Sequence, residues 1–204
     1  AALADQLAGA APPKDGKPLV LTAEGRRQLA WHREGNRRQS QQRLAAQALD
    51  KLLGFGLITP VVPAGDDGRG VYEVMPAGSF SEAERVASGR YRPNWCSQGS
   101  DYDLMYVLDA LLGTDLRTSD TLHYDPATWL LYLTGHDDAF PTWRRLPRYL
   151  AERPVTLQAN VAERLANLSP NALEDSLGSY LNSRQLAAVL ARRDLMLNGW
   201  TIAQ

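Results

Sequence analysis

A chain of 204 residues is long enough to bury one sizeable hydrophobic core, and 44% apolar with 22% charged residues is an ordinary globular composition. The formal net charge of −1 offers no global attraction for a polyanion, and the single cysteine, Cys96, excludes an internal disulfide framework and a cysteine-rich zinc site. No stretch reaches the roughly 20 apolar residues that a membrane-spanning helix requires.

The chain begins AALADQLAGAAPPKDGKP, small, alanine-rich and broken by Pro12, Pro13 and Pro18. Residues 1–18 therefore read as a flexible arm, and a start of this kind suits a mature end left by a signal peptidase. A periplasmic or secreted location is the expectation, a cytoplasmic one the alternative. From Thr22 to about Phe55 the spacing predicts helix, interrupted near Gly35 and Asn36. In SQQRLAAQALDKLLGFG the residues Leu44, Ala48, Leu49, Leu52 and Leu53 share a face, and Gly54 and Gly56 are suitable stops. LITPVV and VYEVM, separated by PAGDDGRG, predict an antiparallel hairpin.

Residues 76–100 read as mostly irregular, with one short helix after Ser81, where Glu84 completes a capping box. DYDLMYVLDALLG predicts a buried helix that stops at Gly113. TLHY and WLLYL, on either side of Asp125-Pro126-Ala127-Thr128, predict a second hairpin. The remainder predicts three helices. One carries Leu157, Val161, Leu165 and Leu168, one is opened by Ser169-Pro170, and the last is opened by Asn182-Ser183. The fold class that follows is α+β, with most of the helix in the C-terminal half.

Three groups of residues could carry chemistry. Arg26, Arg27, His32, Arg33, Arg37, Arg38 and Arg43 lie along the early predicted helices. Helices followed by a hairpin also describe a winged-helix reader of DNA, in which such arginines neutralise phosphates. Glu24, Glu34 and Asp50 partly balance the run, no aromatic spacing suits stacking on single strands, and residues 100–204 would be left without a role. Nucleic-acid binding is therefore the third reading, behind a solvated helix face. In SQGSDYDLMYV, a Gly-Ser precedes Asp101-x-Asp103, the residue types of a magnesium-holding nucleotidyltransferase. These carboxylates fall on a helix-spaced segment, where a capping role for Ser100 or Asp101 fits better. Cys96, beside Trp95, has no base partner in sequence and reads as a packed or idle thiol.

The third group is the pair LDALLGTDLRTSDTLHYD and WLLYLTGHDDAF: buried helix, glycine, Asp/Arg loop, hairpin, then His136-x-x-Ala139-Phe140. This order resembles the catalytic half of the atypical kinases related to HipA, the Golgi secretory-pathway kinases and the phosphoinositide-type kinases. Their pattern is roughly D-x-L-[IL]-x-N-x-D-R-x-x-x-N-h, a hairpin, then h-h-D-H-x-x-A-F. Upstream, ALDKLLGFGLITPVV resembles the end of the helix that carries the ion-pairing glutamate, with the strand after it. VYEVM resembles the strand entering the hinge, and YLNSRQLAAVLARRDLML the closing helix of bacterial members. The likeness covers about residues 40–197. It implies a reduced kinase-like α+β fold: the arm over 1–18, a small helix-plus-hairpin N-terminal lobe over 19–80, and a mainly helical C-terminal lobe over 81–204, packed as one unit.

Carried over residue by residue, the resemblance loses its charged set where phosphoryl transfer needs it. Arg43 takes the place of the helix glutamate. Leu116 takes that of the catalytic aspartate, or Asp115 does if the loop slips by one. Asp120 takes that of the metal-binding asparagine, and Gly135 that of the aspartate before the histidine. Asp137 or Asp138 replaces the lost carboxylate only if the turn is re-routed. The expectation is a degenerate, non-catalytic, bacterial kinase-like module that binds a protein partner or senses a ligand, without a cofactor. Arg33, Arg37 and Arg38 would lie on its interaction face. The alternative is a divergent phosphotransferase using ATP with magnesium or manganese. Asp115, Asp120 and Asp137 would then be its catalytic set, and Asp120, Asp137 and Asp138 its metal ligands. His136 reads as a hydrogen-bonded structural histidine, Ala139 and Phe140 as core, and the ARRD of the last helix as solvent-facing charge.

Overall fold

Gly25 stands at φ 73° between strands β1 (Leu19–Ala23) and β2 (Arg26–Arg33), a left-handed position that closes a tight antiparallel hairpin at little steric cost. The computed structural model describes residues 2–7, 10, 13, 17–23, 25–65, 67–93, 99–153 and 155–203. Cys96 and Trp95 lie outside the described residues.

The first correction to the sequence reading falls here. Thr22–Ala23 and Arg26–Arg33 are strand, not helix. β2 is flanked on both sides, by β1 (Ala30 opposite Leu19) and by the strand Val71–Pro76 (Ala30 opposite Val74), so its backbone groups find ladder partners that outweigh the helix preference of its arginines. The helix starts only at Asn36, which caps α2 (Arg37–Leu53) by accepting from the Gln39 amide at 3.0 Å, while the Gln39 side chain returns a bond to Asn36. Gly54, at φ 65°, ends it. The helices-then-hairpin order behind the winged-helix reading is therefore absent.

The hairpin expected from LITPVV and VYEVM is present as β3 (Val61–Pro63) against β4 (Val71–Pro76). The four strands form one antiparallel sheet in the order β1-β2-β4-β3. Where a flexible arm was expected, Ala2–Leu7 form a short helix, α1. Leu7 is buried in a small cluster with Leu21, Ala30, Tyr72 and Val74, and the Tyr72 hydroxyl donates to the Ala10 carbonyl at 3.0 Å.

After the sheet, β5 (Phe80–Ser81) leads into α3 (Glu82–Ala87), opened by the Ser81–Glu84 capping box. The buried helix α4 (Gly99–Leu112) follows, then β6 (Leu122–Tyr124) and β7 (Leu131–Leu133), paired as the second expected hairpin. The Asp125 carboxylate accepts from the amides of Ala127 and Thr128, both at 2.8 Å, which folds the turn between them. α5 (Ala159–Ala166), α6 (Pro170–Leu177, capped by Ser169) and α7 (Ser183–Gly199, capped by Asn182) complete the helical part. Thr156–Leu157 (β8) form a short parallel pair with Thr201–Ile202 (β9), where the sequence predicted the start of α5.

One continuous core runs from Ala45, Ala46, Leu49 and Leu53 of α2 through α4 and the β6–β7 hairpin to Leu165, Leu173, Leu177 and Val189. α2 is the hinge pin of this packing, because it lies against β3 on one side and α6 on the other. The buried Asp50 carboxylate of α2 accepts from the Leu57 and Ile58 amides at 3.1 Å, and the Leu133 amide donates to the Leu57 carbonyl at 2.8 Å. Those bonds fix the end of β7 relative to α2. Among the described residues, no helix is long and apolar enough to cross a membrane.

Candidate functional site

β7 ends at Leu133 and delivers the chain to a turn at residues 134–140. Gly135 has φ 76°, and a Cβ added there would lie 2.7 Å from the Thr121 methyl. Both the backbone and the space exclude a side chain unless Thr121 moves. His136 is buried. Its Nε2 lies 3.3 Å from the Leu133 carbonyl, and its Nδ1 has no hydrogen-bond partner among the described residues. Burial, helped by the nearby Arg117 and Arg43 charges, pushes its pKa down to about 3, so the ring is neutral. That is the structural histidine expected, held by one long contact.

α2 grips the next three residues in succession. Arg43 forms an ion pair with Asp137, Arg38 reaches Asp138 at 3.4 Å, and Gln42 donates to the Ala139 carbonyl at 2.6 Å. Arg38 and Gln42 are four apart and Arg43 is adjacent, so one helix face carries all three contacts. Arg43 also donates to the carbonyls of Arg33 and Glu34, at 3.1 and 3.3 Å. Phe140, buried as expected, takes a left-handed φ of 59°. Its amide donates to the Leu112 carbonyl at 2.7 Å, and its carbonyl accepts from Gln185 of α7 at 3.0 Å. The turn is held from both sides.

These residues wall a cleft of about 280 Å³ lined by Arg33, Arg43, Glu73, Asp120, Thr134 and Asp137. Arg33 at the end of β2 bonds Glu73 on β4 at 2.8 Å, a diagonal cross-strand pair with the glutamate buried. Asp120, exposed on the short turn Ser119–Thr121, makes no ion pair among the described residues. A second cavity of about 410 Å³ shares Gly135 and Asp137 with the first and adds Asp115, Leu116, Asp138 and Trp143. Asp115 is bound by Arg145 at 2.6 and 2.9 Å and accepts from the Arg148 amide at 2.9 Å. The Arg145 bonds, foremost, hold its carboxyl down to about 2. The structure thus brings Asp120 and Asp137 to one cleft and puts Asp115 and Asp138 on its outer side, each against an arginine. Among the described residues, no three His, Cys, Asp or Glu side chains gather as a metal-holding group.

The interaction arginines divide. Arg33 and Arg38 are turned onto Glu73 and Asp138, while Arg37 is exposed in the first turn of α2.

Two cations escaped the sequence reading. Arg117 is ion-paired with the fully buried Asp109, which also accepts from the Tyr149 hydroxyl at 2.7 Å, and Arg117 donates to the Thr134 carbonyl at 2.8 Å. The first aspartate and the later arginine of the D-x-L…D-R pattern were the available signal for this staple. Arg192, read as solvent-facing, is completely buried. It donates to the carbonyls of Leu111, Pro141 and Trp143, and burial lowers its pKa to about 10. The last helix turns this arginine inward, where the Leu111 carbonyl in the last turn of α4 needs a donor.

No protein-family model matches this chain, and no curated protein matches it. Among solved structures it is similar to hydra Fam20, determined with sugar, with a TM-score of 0.53 and 13% identity, covering 88% of this chain and 79% of that one. It is also similar to the Helicobacter pylori proinflammatory kinase CtkA, with a TM-score of 0.56 and 8% identity, covering 91% of this chain and 87% of that one. Likeness at such identities concerns the fold: this chain has the reduced, kinase-like α+β fold expected from its sequence.

Proposed function

We propose that the chain is a non-catalytic kinase-like module, which binds a protein partner or senses a ligand instead of transferring phosphate. The Arg43–Asp137 ion pair carries this reading. Phosphoryl transfer rests on positioned cations and carboxylates, with magnesium neutralising the phosphate charge. Here the acid nearest the lost metal ligand is occupied by a guanidinium from the helix where a glutamate belongs. A divalent cation on Asp137 would stand beside that guanidinium and be repelled. Gly135 has no room for the missing carboxylate, and the β2 arginine is committed to Glu73. The donor set suits a magnesium–nucleotide pair poorly, and no catalytic step is assigned to these residues.

The partner surfaces we favour are the exposed first turn of α2 around Arg37 and, separately, the segment over residues 76–93. The test is a thermal-shift titration with ATP, ADP and GTP, each with magnesium, manganese or chelator. Selective binding to the folded state raises the melting temperature by mass action. A flat response is expected. A metal-dependent rise that disappears in Asp120→Ala would overturn the reading in favour of a divergent phosphotransferase.

A further inference from the structure

The four-stranded sheet is apolar on both faces. Side chains alternate along a strand, so Val71 of β4 joins the main core while Tyr72 and Val74 turn the other way. There, with Leu21 of β1 and Ala30 of β2, they form a small cluster that shares no residue with the main core. Ala30, Tyr72 and Val74 are at most 1% exposed. An apolar sheet face has to be covered. Among the described residues it is α1 that lies over this one, against β1.

That cover is slight. α1 has six residues, well under the roughly 12–15 at which an isolated helix begins to persist in water. Leu3 and Leu7, four apart on one face of the helix, both pack on the cluster, but only Leu7 is fully buried. Among the described residues two hydrogen bonds tie the segment to the sheet. The exposed Gln6 side chain donates to the Thr22 carbonyl at 3.2 Å, and the Tyr72 hydroxyl donates to the Ala10 carbonyl at 3.0 Å. Lifting α1 therefore exposes the small cluster and leaves the main core closed, so it opens at a lower free energy than the whole fold. The opened face is an apolar surface with the Tyr72 hydroxyl as its donor. What fits it is given by α1 itself: a short helix with two leucines four residues apart and a free carbonyl just beyond the second.

We infer that the outer face of the sheet, around Leu21, Ala30, Tyr72 and Val74, is a docking surface for an amphipathic, leucine-bearing helix of a protein partner, and that α1 is its built-in occupant, displaced when the partner binds. The surface stands on its own geometry and does not depend on how the cleft is read.

The probe is a peptide of residues 1–10, AALADQLAGA, amidated to keep the Ala10 carbonyl in an amide. It is titrated into the whole, unaltered chain to about 5 mM, a range that reads millimolar binding, and amide shifts are followed by NMR. The amides of Leu21, Ala30, Tyr72 and Val74 move along one saturable curve. The same peptide with Leu7→Ser binds at least about tenfold more weakly, the loss of its one fully buried side chain. In a chain that carries Leu7→Ser the built-in occupant no longer competes. That chain binds the unaltered peptide at least about fivefold more tightly, because apparent affinity scales with the fraction of open face. The titration of the unaltered chain decides the matter even if this variant folds poorly. Absence of saturable binding, shifts confined to other residues, equal binding of the Leu7→Ser peptide, or no gain of affinity in a folded Leu7→Ser chain would each overturn the inference.

Discussion

Arg43 of α2 is ion-paired with Asp137 of the turn after β7, and by this one contact the helix joins an acid of the cleft wall to its own guanidinium. The guanidinium is almost wholly buried, with 7% of the side chain exposed against 36% for the carboxylate. The pair is therefore partly desolvated, and its arginine is further satisfied by the carbonyls of Arg33 and Glu34. Its neighbours Arg38 and Gln42 extend the grip to Asp138 and Ala139. In this fold the junction of helix and turn is closed by complementary charge.

Replacing Arg43 by alanine removes the ion pair and the donors to two backbone carbonyls together. A loss of about 2–3 kcal/mol is expected, the usual scale for breaking a mostly buried charge-assisted network. Arg43→Lys recovers only part of it, because an ammonium cannot repeat the guanidinium fork. Urea midpoints for the three proteins check this, and equal midpoints would mean that the pair contributes nothing to stability.

Gly135→Ala combines a left-handed φ with a Cβ set 2.7 Å from the Thr121 methyl, and is expected to cost about 1–3 kcal/mol. Thr121→Ser removes the opposing methyl. The double variant should therefore be more stable than the sum of the single losses, leaving the backbone strain alone. Strict additivity in thermal unfolding would show that the contact does not limit the site.

The pH dependence of stability should carry the mark of His136. Its folded pKa is depressed from 6.5 to about 3, so the unfolded chain takes up a proton below about pH 6.5 while the folded chain does not. The stability it supports is complete above pH 6.5 and is lost as pH falls towards 3, at no more than about 1.4 kcal/mol per pH unit. His123, depressed by burial foremost, acts in the same direction, and the raised Asp50 acts against both at lower pH. Comparison with His136→Gln between about pH 6.5 and 4.5, above most carboxylate titration, isolates the histidine. If the two profiles run parallel over that window, the assignment fails.

The sequence by itself determined what short-range chemistry controls. Ser81 with Glu84, Ser169 with Pro170, Asn182 and the Asp125 turn each act within a few residues, so the caps and both hairpins were legible. The motif order around Gly113 and His136 was enough to indicate the kinase-like fold. Only the tertiary structure decided the rest. The strand at Arg26–Arg33 depends on β4 as well as on the adjacent β1, and β4 lies far away in the chain, so no local window contains that pairing. The direction of a charge is equally non-local. Arg43 and Arg192 look like surface arginines in sequence, yet one meets Asp137 and the other the Leu111 carbonyl at the end of α4 with those of Pro141 and Trp143, because a buried cation is stable only where distant segments supply its acceptors.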